Sequence, residues 1–352
     1  MIQSILQQYG FNESLCTVNA FGTGLINNTW LVGYAGKNYI LQRINQNVFK
    51  TPAYIDDNIR ALAGFLSQHN PGYTFTVPVS TPGGKTLVIT SDGAFRMFAF
   101  IEGSRTYDVL QKPQQAFEAA KQFGRFTKLL CGFNSASLKI TLPEFHNLSL
   151  RYCQFEEATQ KGDAERIKHA GVLIYDVKKY APLVDIFEDI QINPAFKKRV
   201  THHDTKISNV LFDKEDKGIC VIDLDTVMPG YFISDVGDML RTYLSAAGEE
   251  ETDLSKVYVR DEYFYAVMRG YLGEMKEELS DEELDAFVYA GEFMIYMQAL
   301  RFLTDYLNND VYYGAKYPLH NYNRAANQMI LLEDLMRKEK MFKNNVSNFL
   351  QE

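Results

Sequence analysis

The stretch His202-His203-Asp204-Thr205-Lys206-Ile207-Ser208-Asn209 decides the fold of this chain, together with Val221-Ile222-Asp223-Leu224-Asp225 a little further on. The first segment has the pattern H-x-D-x-x-x-x-N, and the second is an apolar strand that ends at an aspartate. This spacing is typical of a phosphoryl-transfer catalytic loop followed by its metal-binding aspartate. The two segments therefore predict a kinase-like site for ATP.

The chemistry of the site explains these residue types. Asp204 is the candidate catalytic base, because a carboxylate at this position accepts the proton of an attacking hydroxyl. Asn209 and Asp223 are the candidate ligands of Mg²⁺, which keeps waters and takes its other ligands from substrate phosphates. Asp225 is a third, lower-ranked candidate ligand. An apolar segment on each side of a turn, residues 210–212 and 218–222, predicts a hairpin that brings Asp223 to the loop.

Other interpretations of the loop stay open. The pattern can arise by chance in a chain of this length, and adjacent histidines can bind a metal together with Asp204, as in a hydrolase. Side chains at successive positions diverge, however, and the sequence offers no second cluster of His, Asp or Glu to complete such a site. We expect His202 to brace the loop through hydrogen bonds to the backbone or to Asp223, and His203 to be packed.

The composition is that of a globular protein, with 352 residues, 24 Phe and 22 Tyr. The net charge of −8 offers no basic surface, so nucleic acid is not an expected partner. The longest apolar run is too short for a membrane span, and no charged-then-apolar leader opens the sequence. Four scattered cysteines predict buried thiols in a reducing compartment. We expect a cytoplasmic protein without a membrane partner, as a monomer or a weak dimer.

Strand and hairpin patterns occupy the first hundred residues, and helical patterns dominate after Pro113. One helix is predicted after Pro52, from the apolar spacing of Ile55, Ile59, Leu62 and Leu66. Ser280 opens a capping box for a helix through Met294, and a last helix is predicted over residues 323–340. This distribution predicts an α+β, two-lobed, protein-kinase-like fold. A small β-rich nucleotide-binding lobe is assigned to residues 1–102, and a larger, mostly α-helical lobe to residues 103–352.

The β-rich lobe carries the candidate ATP-binding residues. Gly22 and Gly24, followed by Asn27, predict a turn whose backbone amides cover the phosphates, although an ordinary tight turn has the same pattern. Arg43 ends the third strand and is predicted to hold phosphate oxygens. If the strand register shifts by one residue, Gln42 takes that position instead.

Two further features of the ATP site are predicted after that strand. Asp57, on the helix after Pro52, is the candidate acidic partner of the phosphate-holding arginine. The apolar segment 98–103 is a candidate inter-lobe hinge, in which the backbone of Ala99 and Ile101 would hydrogen-bond the adenine base. A plain surface charge is the alternative for both Arg43 and Asp57.

These residues resemble the aminoglycoside phosphotransferase and choline kinase superfamily more than protein kinases, because the strand ends in Asp-Leu-Asp and not in Asp-Phe-Gly. Four segments are similar to the N-acetylhexosamine 1-kinase branch, namely residues 21–29, 39–45, 100–108 and 300–307. The resemblance implies an ATP- and Mg²⁺-dependent kinase that phosphorylates the anomeric hydroxyl of N-acetylglucosamine or N-acetylgalactosamine. The residues that it places against this amino sugar are Asp204, Thr226, Arg301 and Tyr312.

The chain departs from the family pattern at Arg43, where lysine is usual, at Asp57, where glutamate is usual, and in lacking a third glycine. A different class of protein, a nucleotide-binding pseudokinase without catalysis, is a rival hypothesis. Such proteins tend to lose the polar set that is complete here in Asp204, Asn209 and Asp223.

An aminoglycoside- or choline-type kinase acting on another acceptor is the second rival. A cationic acceptor needs carboxylates or an aromatic cage, and Asp235, Asp238 and the acidic run 249–251 are available, although that run is expected to be a solvated loop. For Arg301, an ion pair with Asp305 at i, i+4 is the alternative to sugar binding.

Overall fold

The computed structural model describes residues 2–22 and 26–351, and its N-terminal part is built on one antiparallel sheet. The strands are β1 (Thr17–Ala20), β2 (Asn28–Tyr34), β3 (Lys37–Ile44), β4 (Leu87–Thr90) and β5 (Gly93–Ala99). In the described residues they lie in the order β1-β2-β3-β5-β4. Helices α1 (Ile2–Gln8) and α2 (Pro52–His69) accompany the sheet.

Tight turns set the register of this sheet. Ala35 and Gly36 join β2 to β3 with φ of 51° and 76°, which is the left-handed geometry that matches the twist of a two-residue hairpin. Gly93, with φ of 131°, begins β5 after the short turn from β4. Both pairs of strands are antiparallel hairpins, in agreement with the hairpin patterns that the sequence shows in its first hundred residues.

The two faces of the sheet have different neighbours. On the outer face, Leu41, Phe95 and Met97 pack with Ile5 of α1 in a small core of their own. Because side chains alternate along a strand, Gln42 and Arg96 point to the other face, toward the C-terminal part. Polar groups on this inner face therefore border the cleft between the two parts.

Helix α2 belongs to the core of the C-terminal part as much as to the sheet. Its four predicted apolar residues are buried and pack into the large helical core: Ile55, Ile59, Leu62 and Leu66. Asn58 connects the parts by donating to the Lys139 and Val227 carbonyl oxygens at 2.8 and 3.0 Å. The predicted lobe boundary between residues 102 and 103 therefore divides the sequence, but α2, which precedes the boundary, packs against residues that follow it.

The C-terminal part is helical, with short strands near its cleft. Its helices are α3 (Pro113–Leu129), α4 (Leu148–Lys161), α5 (Ala164–His169), α6 (Gly171–Lys179), α7 (Pro182–Ile192), α8 (Phe232–Tyr243), α9 (Asp261–Met275), α10 (Asp281–Asp285), α11 (Phe287–Leu307) and α12 (His320–Gln351). Its strands are β6 (Arg199–Thr201), β7 (Val210–Phe212), β8 (Gly218–Val221) and β9 (Met228–Gly230), paired β6 with β9 and β7 with β8. The predicted α+β class is confirmed.

Two helix predictions need correction. The last helix runs over His320–Gln351 and not over residues 323–340, because Phe342 and Val346 continue its buried face. Phe342 stacks on Phe264 of α9 with ring centroids 3.8 Å apart. The Ser280 capping box forms as predicted, but the helix ends at Asp285 and α11 begins separately.

The cysteine prediction is only partly right. The four thiols are free, yet Cys220 alone among them is buried, whereas Cys131 and Cys153 are exposed and Cys16 is intermediate. In the two described ranges, no helix combines the length and the apolar character that a membrane crossing requires.

Candidate active site

The catalytic loop follows β6 and folds back on itself through Asp204 and Asn209. Asn209 Nδ2 donates to the Asp204 carboxylate at 2.9 Å and to the Asp204 carbonyl oxygen at 2.8 Å. Lys206 Nζ donates to the same carboxylate oxygen at 2.9 Å. The spacing of five residues therefore brings the predicted base and the predicted metal ligand into direct contact.

Asp204 and Lys206 hold each other in their charged forms. Burial acts to raise the pKa of the Asp204 carboxyl, but the Lys206 ammonium and its hydrogen bond hold that pKa below the usual range. Burial acts to lower the pKa of Lys206, and the charges of Asp204 and Asp223 outweigh it and raise that pKa. The loop thus presents a carboxylate that accepts protons beside an ammonium suited to a phosphate oxygen.

The β7–β8 hairpin delivers Asp223 to the other side of the loop, as predicted. Ile222 N donates to the Asn209 carbonyl oxygen at 2.8 Å, which ties the strand end to the loop. Asp223 has φ of 61°, a left-handed conformation that is uncommon for non-glycine residues and that occurs in turns and at active sites. Burial, with the charges of Asp225 and Asp204, raises the pKa of the Asp223 carboxyl to about 7.

Asn209 and Asp223 fit the requirements of a Mg²⁺ site. Converging carboxylates raise one another's pKa, and a divalent cation between them would remove this repulsion. The Asn209 amide uses its nitrogen to hold Asp204, which leaves its oxygen as a hard ligand. In the described ranges, no group of three or more His, Cys, Asp or Glu side chains forms a self-contained metal site. A cation here would therefore depend on phosphate oxygens, as in a Mg²⁺–nucleotide complex.

Asp225, the third predicted metal ligand, is engaged with the N-terminal part. Its carboxylate forms an ion pair with Arg96, and Asn27 Nδ2 donates to it at 2.8 Å. Arg96 Nε and Nη2 also donate to Gln42 Oε1 at 3.0 and 2.9 Å. The backbone amides of the turn that ends at Asn27 are predicted to cover the ATP phosphates, and the Asn27 side chain in addition joins the two parts.

The structure does not support the predicted phosphate contact of Arg43. Arg43 pairs with Phe95, on the sheet face that packs against α1, whereas Gln42 pairs with Arg96 on the face toward the cleft. The one-residue alternative, Gln42, is therefore the residue on the cleft side, and Arg96 is the cation there. Sequence reasoning missed Arg96, although a single charge inside the apolar strand β5 was a usable signal.

Asp57 does not face the cleft either. Its side chain is 46% exposed and pairs with Arg60 at 2.7 Å on the surface of α2. Successive helical residues point about 100° apart, and the preceding Asp56 is the more buried of the two, with its side chain 12% exposed. Asp57 is thus a surface charge that pairs with Arg60, in agreement with the alternative of a plain surface charge.

The structure describes part of the glycine turn that is predicted to cover the ATP phosphates. Gly22 has φ of 77°, and a side chain there would meet nothing within 4 Å. Just before it, Phe21 N donates to the Thr29 carbonyl oxygen at 3.0 Å, and the Phe21 ring packs edge-on against Phe100 of the hinge. Gly24 lies outside the described residues.

The predicted hinge leaves β5 at Ala99, which pairs with Tyr39 of β3. The Ile101 carbonyl oxygen accepts from Ser104 N at 3.2 Å and from Ser104 Oγ at 2.6 Å, which closes a turn. That oxygen is therefore used within the chain. The predicted hydrogen bond from Ile101 to adenine would therefore use the Ile101 N–H.

Helix α8 supports the catalytic loop from behind. The Asp235 carboxylate accepts from His202 N at 3.0 Å and His203 N at 2.7 Å, and Asp238 accepts from Thr205 N at 2.8 Å. Burial raises the pKa of Asp235 to about 7, although the two amides act against it. Asp235 and Asp238, the carboxylates available to a cationic acceptor in the sequence, are therefore buried and accept hydrogen bonds from backbone amides.

The two histidines are structural. His202 Nε2 donates to the Ile222 carbonyl oxygen at 2.9 Å, so its predicted bracing role is confirmed. His203 is buried with φ of 67°, and its Nδ1 lies 3.1 Å from the Thr201 and Thr226 carbonyl oxygens. Burial lowers the pKa of His203 to about 4. Both contacts are with backbone, which gives no support to a histidine metal site.

The residues predicted to touch a sugar are placed differently from one another. Thr226 is buried and its hydroxyl donates to the His202 carbonyl oxygen at 2.7 Å, so it positions the loop. Arg301 Nη2 donates to the Tyr312 hydroxyl at 3.4 Å on an open surface, where Tyr312 is 74% exposed. Asp305 accepts from Tyr312 N at 2.7 Å, so it caps the loop and does not pair with Arg301.

The acidic run 249–251 lies in a loop, as expected, and Glu250 is exposed, but the carboxylates of the run are paired with cations. Glu249 pairs with Arg241 and with Arg324, and Glu250 pairs with Lys316 at 2.6 Å. These ion pairs neutralise the run and leave it unsuited to hold a cationic acceptor.

Comparison with known proteins agrees with this geometry. The family model described as the phosphotransferase enzyme family matches residues 17–276. An aminoglycoside phosphotransferase from Alicyclobacillus acidocaldarius is similar at 15% identity and a TM-score of 0.68, over 99% of this chain and 96% of that one. A choline kinase from Cryptosporidium parvum is similar at 15% identity and a TM-score of 0.57, over 100% and 99%.

A spectinomycin phosphotransferase in complex with ADP and spectinomycin is similar at 14% identity and a TM-score of 0.56, over 96% of this chain and 97% of that one. At these identities the three structures share the fold, and the two-lobed kinase-like class predicted from the sequence is confirmed.

Proposed function

The chain belongs to the phosphotransferase enzyme family, and from this premise we propose that it transfers the γ-phosphoryl group of ATP to a hydroxyl of a small molecule. The acceptor that we propose is the C1 hydroxyl of an N-acetylhexosamine. The observation that carries the reaction class is the contact of Asp204 with Lys206 and Asn209, opposite Asp223.

In this proposal each residue has a distinct task. The Asp204 carboxylate orients the acceptor hydroxyl and takes its proton as the hydroxyl oxygen bonds to the γ-phosphorus, whose bond to the bridging oxygen breaks so that ADP leaves. Lys206 keeps that carboxylate ionised and offers its ammonium to the transferred phosphoryl group. Asn209 and Asp223 would hold Mg²⁺, which neutralises the phosphate charge that develops in the transition state. Catalysis then rests on positioning and electrostatics, with no covalent enzyme intermediate.

The acceptor side favours an uncharged sugar. Arg301 and Tyr312 offer a planar guanidinium and an exposed aromatic ring, which suit hydroxyl groups and the C–H face of a sugar ring. A choline-type acceptor would need free carboxylates or an aromatic cage, and Asp235, Asp238 and Glu249 are occupied. The similarity of residues 21–29, 39–45, 100–108 and 300–307 to the N-acetylhexosamine 1-kinase branch supports the same choice.

The test is an ATP-consumption screen over free sugars and amino alcohols, with the phosphate position read by NMR. We expect phosphate at C1 of an N-acetylhexosamine. Asp204→Asn should lower kcat by roughly 10²- to 10⁴-fold, the usual contribution of a general base, while ATP still binds. Asp176→Asn, on the surface of α6, is the matched control. Phosphate at C6 or on an amino alcohol would refute the acceptor, and near-normal turnover of Asp204→Asn would refute the base.

A further inference from the structure

The chain that leaves the hinge, residues 104–107, contacts the hairpin that carries the predicted metal ligands. Arg105 N donates to the Phe212 carbonyl oxygen at 2.8 Å, and Phe212 N donates to the Arg105 carbonyl oxygen at the same distance. This pair of hydrogen bonds is an antiparallel bridge outside the named strands. The segment after the hinge therefore borders β7, the strand that begins directly after Asn209.

Asp216, at the tip of the β7–β8 hairpin, holds the same segment with its side chain. Its Oδ1 accepts from Arg105 Nη2 at 2.6 Å and from the Tyr107 hydroxyl, and Lys112 Nζ lies 3.7 Å from its Oδ2. Arg105 Nη2 also donates to the Lys214 carbonyl oxygen of the hairpin at 3.0 Å. The side chains of Asp216, Arg105 and Tyr107 are called the Asp216 clamp below.

The clamp differs from an isolated ion pair on the surface. The Asp216 side chain is 19% exposed, and three residues direct donors at its one carboxylate. The hydrogen bond from Tyr107, with the charges of Arg105 and Lys112, lowers the pKa of this carboxyl, so it is ionised at neutral pH. The Tyr107 ring also packs edge-on against the Phe212 ring, with centroids 5.3 Å apart. A network of this kind can contribute where a single exposed pair contributes little.

The fold of the hairpin turn does not depend on the Asp216 carboxylate. The Asp213 carboxylate closes this turn, because it accepts from Glu215 N at 2.8 Å and from Lys217 N at 3.0 Å. In the two described ranges, the partners of the Asp216 carboxylate all precede α3 or begin it, and none belongs to the hairpin. The Asp216 carboxylate therefore links the hairpin to the hinge.

Both ends of this hairpin lead to a predicted metal ligand. Asn209 comes directly before β7, and Asp223 lies two residues after the end of β8. Ile222 N donates to the Asn209 carbonyl oxygen at 2.8 Å, which joins the two ends at the base of the hairpin. A shift of the hairpin relative to the hinge would therefore move Asn209 and Asp223 together.

We propose that Asp216 is a positioning residue that fixes the hairpin with Asn209 and Asp223 at a set distance from the hinge. A Mg²⁺–nucleotide complex spans both elements, since its base meets the hinge while its phosphates and metal meet the catalytic residues. With the clamp intact, both halves of this ligand bind without a movement of the hairpin. The inference rests on the proposed function, because it takes the hinge as the adenine site and the two residues as metal ligands.

The experiment is calorimetric titration of the protein with ADP, once without divalent metal and once in excess Mg²⁺. Asp216→Asn removes the charge, and asparagine tolerates the φ of 63° at this position, so the turn is preserved. The Kd for Mg²⁺–ADP should rise by roughly 2- to 30-fold, the range for residues that couple two sites from outside them. The Kd for metal-free ADP and the KM for the acceptor should stay close to wild type.

Matched variants separate the clamp from general stability. Tyr107→Phe removes the hydroxyl, keeps the ring against Phe212, and should show the same selective loss of Mg²⁺–ADP affinity. Its effect should not add to that of Asp216→Asn, because both changes act on one hydrogen bond. Arg105→Lys retains the charge and should stay closer to wild type than Arg105→Gln. Glu215→Gln, exposed on the same turn, should leave both affinities unchanged.

The outcomes distinguish this inference from the proposed function. If Asp216→Asn weakens metal-free ADP and Mg²⁺–ADP equally, Asp216 only maintains the hinge, and if it weakens neither, the clamp has no effect on the ligand. Either result overturns the inference while kinase activity stands. If wild type binds Mg²⁺–ADP but phosphorylates no acceptor, the proposed function is refuted and the titrations still test the clamp. If wild type binds no Mg²⁺–ADP, both are overturned.

Discussion

Arg96 of β5 and Asp225 form an ion pair between the two parts of the molecule, and each side chain is 3% exposed. Asn27 adds a second contact to Asp225 from the N-terminal part, at 2.8 Å. Asp223, two residues earlier, accepts no hydrogen bond within the described residues. The two aspartates of the Asp-Leu-Asp strand end therefore have different surroundings, since Asp225 joins the two parts, whereas the Asp223 carboxylate has no hydrogen bond in the part of the chain that the structure describes, which is what our proposal that Asp223 binds a metal requires.

The first prediction separates these roles by paired substitutions. Asp225→Asn should lower the free energy of unfolding by about 3 to 5 kcal/mol, because it leaves Arg96 buried without its counter-charge. It should change the Mg²⁺ concentration for half-maximal turnover very little. Asp223→Asn should do the reverse, with a higher Mg²⁺ requirement and near-normal stability. Urea unfolding and Mg²⁺ titration of turnover measure both effects, and identical profiles for the two variants would contradict the assignment.

The second prediction concerns which arginine of the N-terminal sheet affects ATP binding, Arg43 or Arg96. Arg43→Gln should leave the KM for ATP close to the wild-type value, because Arg43 lies on the sheet face away from the cleft. Arg96→Gln should raise that KM and also destabilise the fold, because it removes the charge paired with Asp225. Steady-state kinetics at saturating acceptor measure the comparison. A large KM increase for Arg43→Gln alone would restore the phosphate contact predicted from the sequence.

The strand pattern predicted β3 correctly but not which of its residues faces the cleft. A shift of one residue moves every side chain to the opposite face, and both Gln42 and Arg43 are polar at the end of an apolar run. Partner strands decide between them, because Gln42 lies opposite Arg96 and Arg43 opposite Phe95. This pairing depends on contacts between strands that are distant in sequence, so local periodicity cannot predict it.

The parts of the site that were predicted well are local in sequence. Asp204 and Asn209 meet because five residues of loop suffice to return the chain, and the adjoining hairpin carries Asp223 to them. The supporting groups come from elsewhere, since Asp235 and Asp238 reach the loop only when α8 packs behind it. The sequence marked Asp235 and Asp238 as candidate functional residues, but it did not indicate whether their carboxylates contact a ligand or the backbone of the loop.

The third prediction tests the role of α8. Asp235→Asn should lower kcat substantially and destabilise the protein, because one carboxylate serves the backbone amides of both His202 and His203. Losing a buried hydrogen-bond acceptor of this kind costs about 1 to 3 kcal/mol. The ratio of kcat/KM between acceptors should not change, since the buried Asp235 carboxylate is bonded to the backbone of the loop. A selective loss of activity on cationic acceptors would instead identify Asp235 as a substrate ligand.

The fourth prediction rests on a buried acid far from the site. Glu292 of α11 is 3% exposed, and its Oε1 has no hydrogen-bond partner in the described residues. Burial, with a smaller effect from Glu339, raises the pKa of Glu292 from 4.5 to about 7. Because the folded state holds this proton more tightly than the unfolded chain, folding is favoured at low pH, and stability is lost as the pH rises from 4.5 through about 7.

Glu292→Gln should remove the loss of stability at high pH, because the amide has nearly the same shape as the carboxyl group and carries no charge to bury. Above pH 7 the variant should be more stable than wild type by roughly 3 kcal/mol, which corresponds to the shift in pKa, and the difference should shrink toward pH 5. Urea unfolding across this range measures it. Glu282→Gln, exposed on α10, should show a difference from wild type that stays constant with pH. A constant difference for Glu292→Gln as well would mean that Glu292 is not protonated in the folded protein at neutral pH.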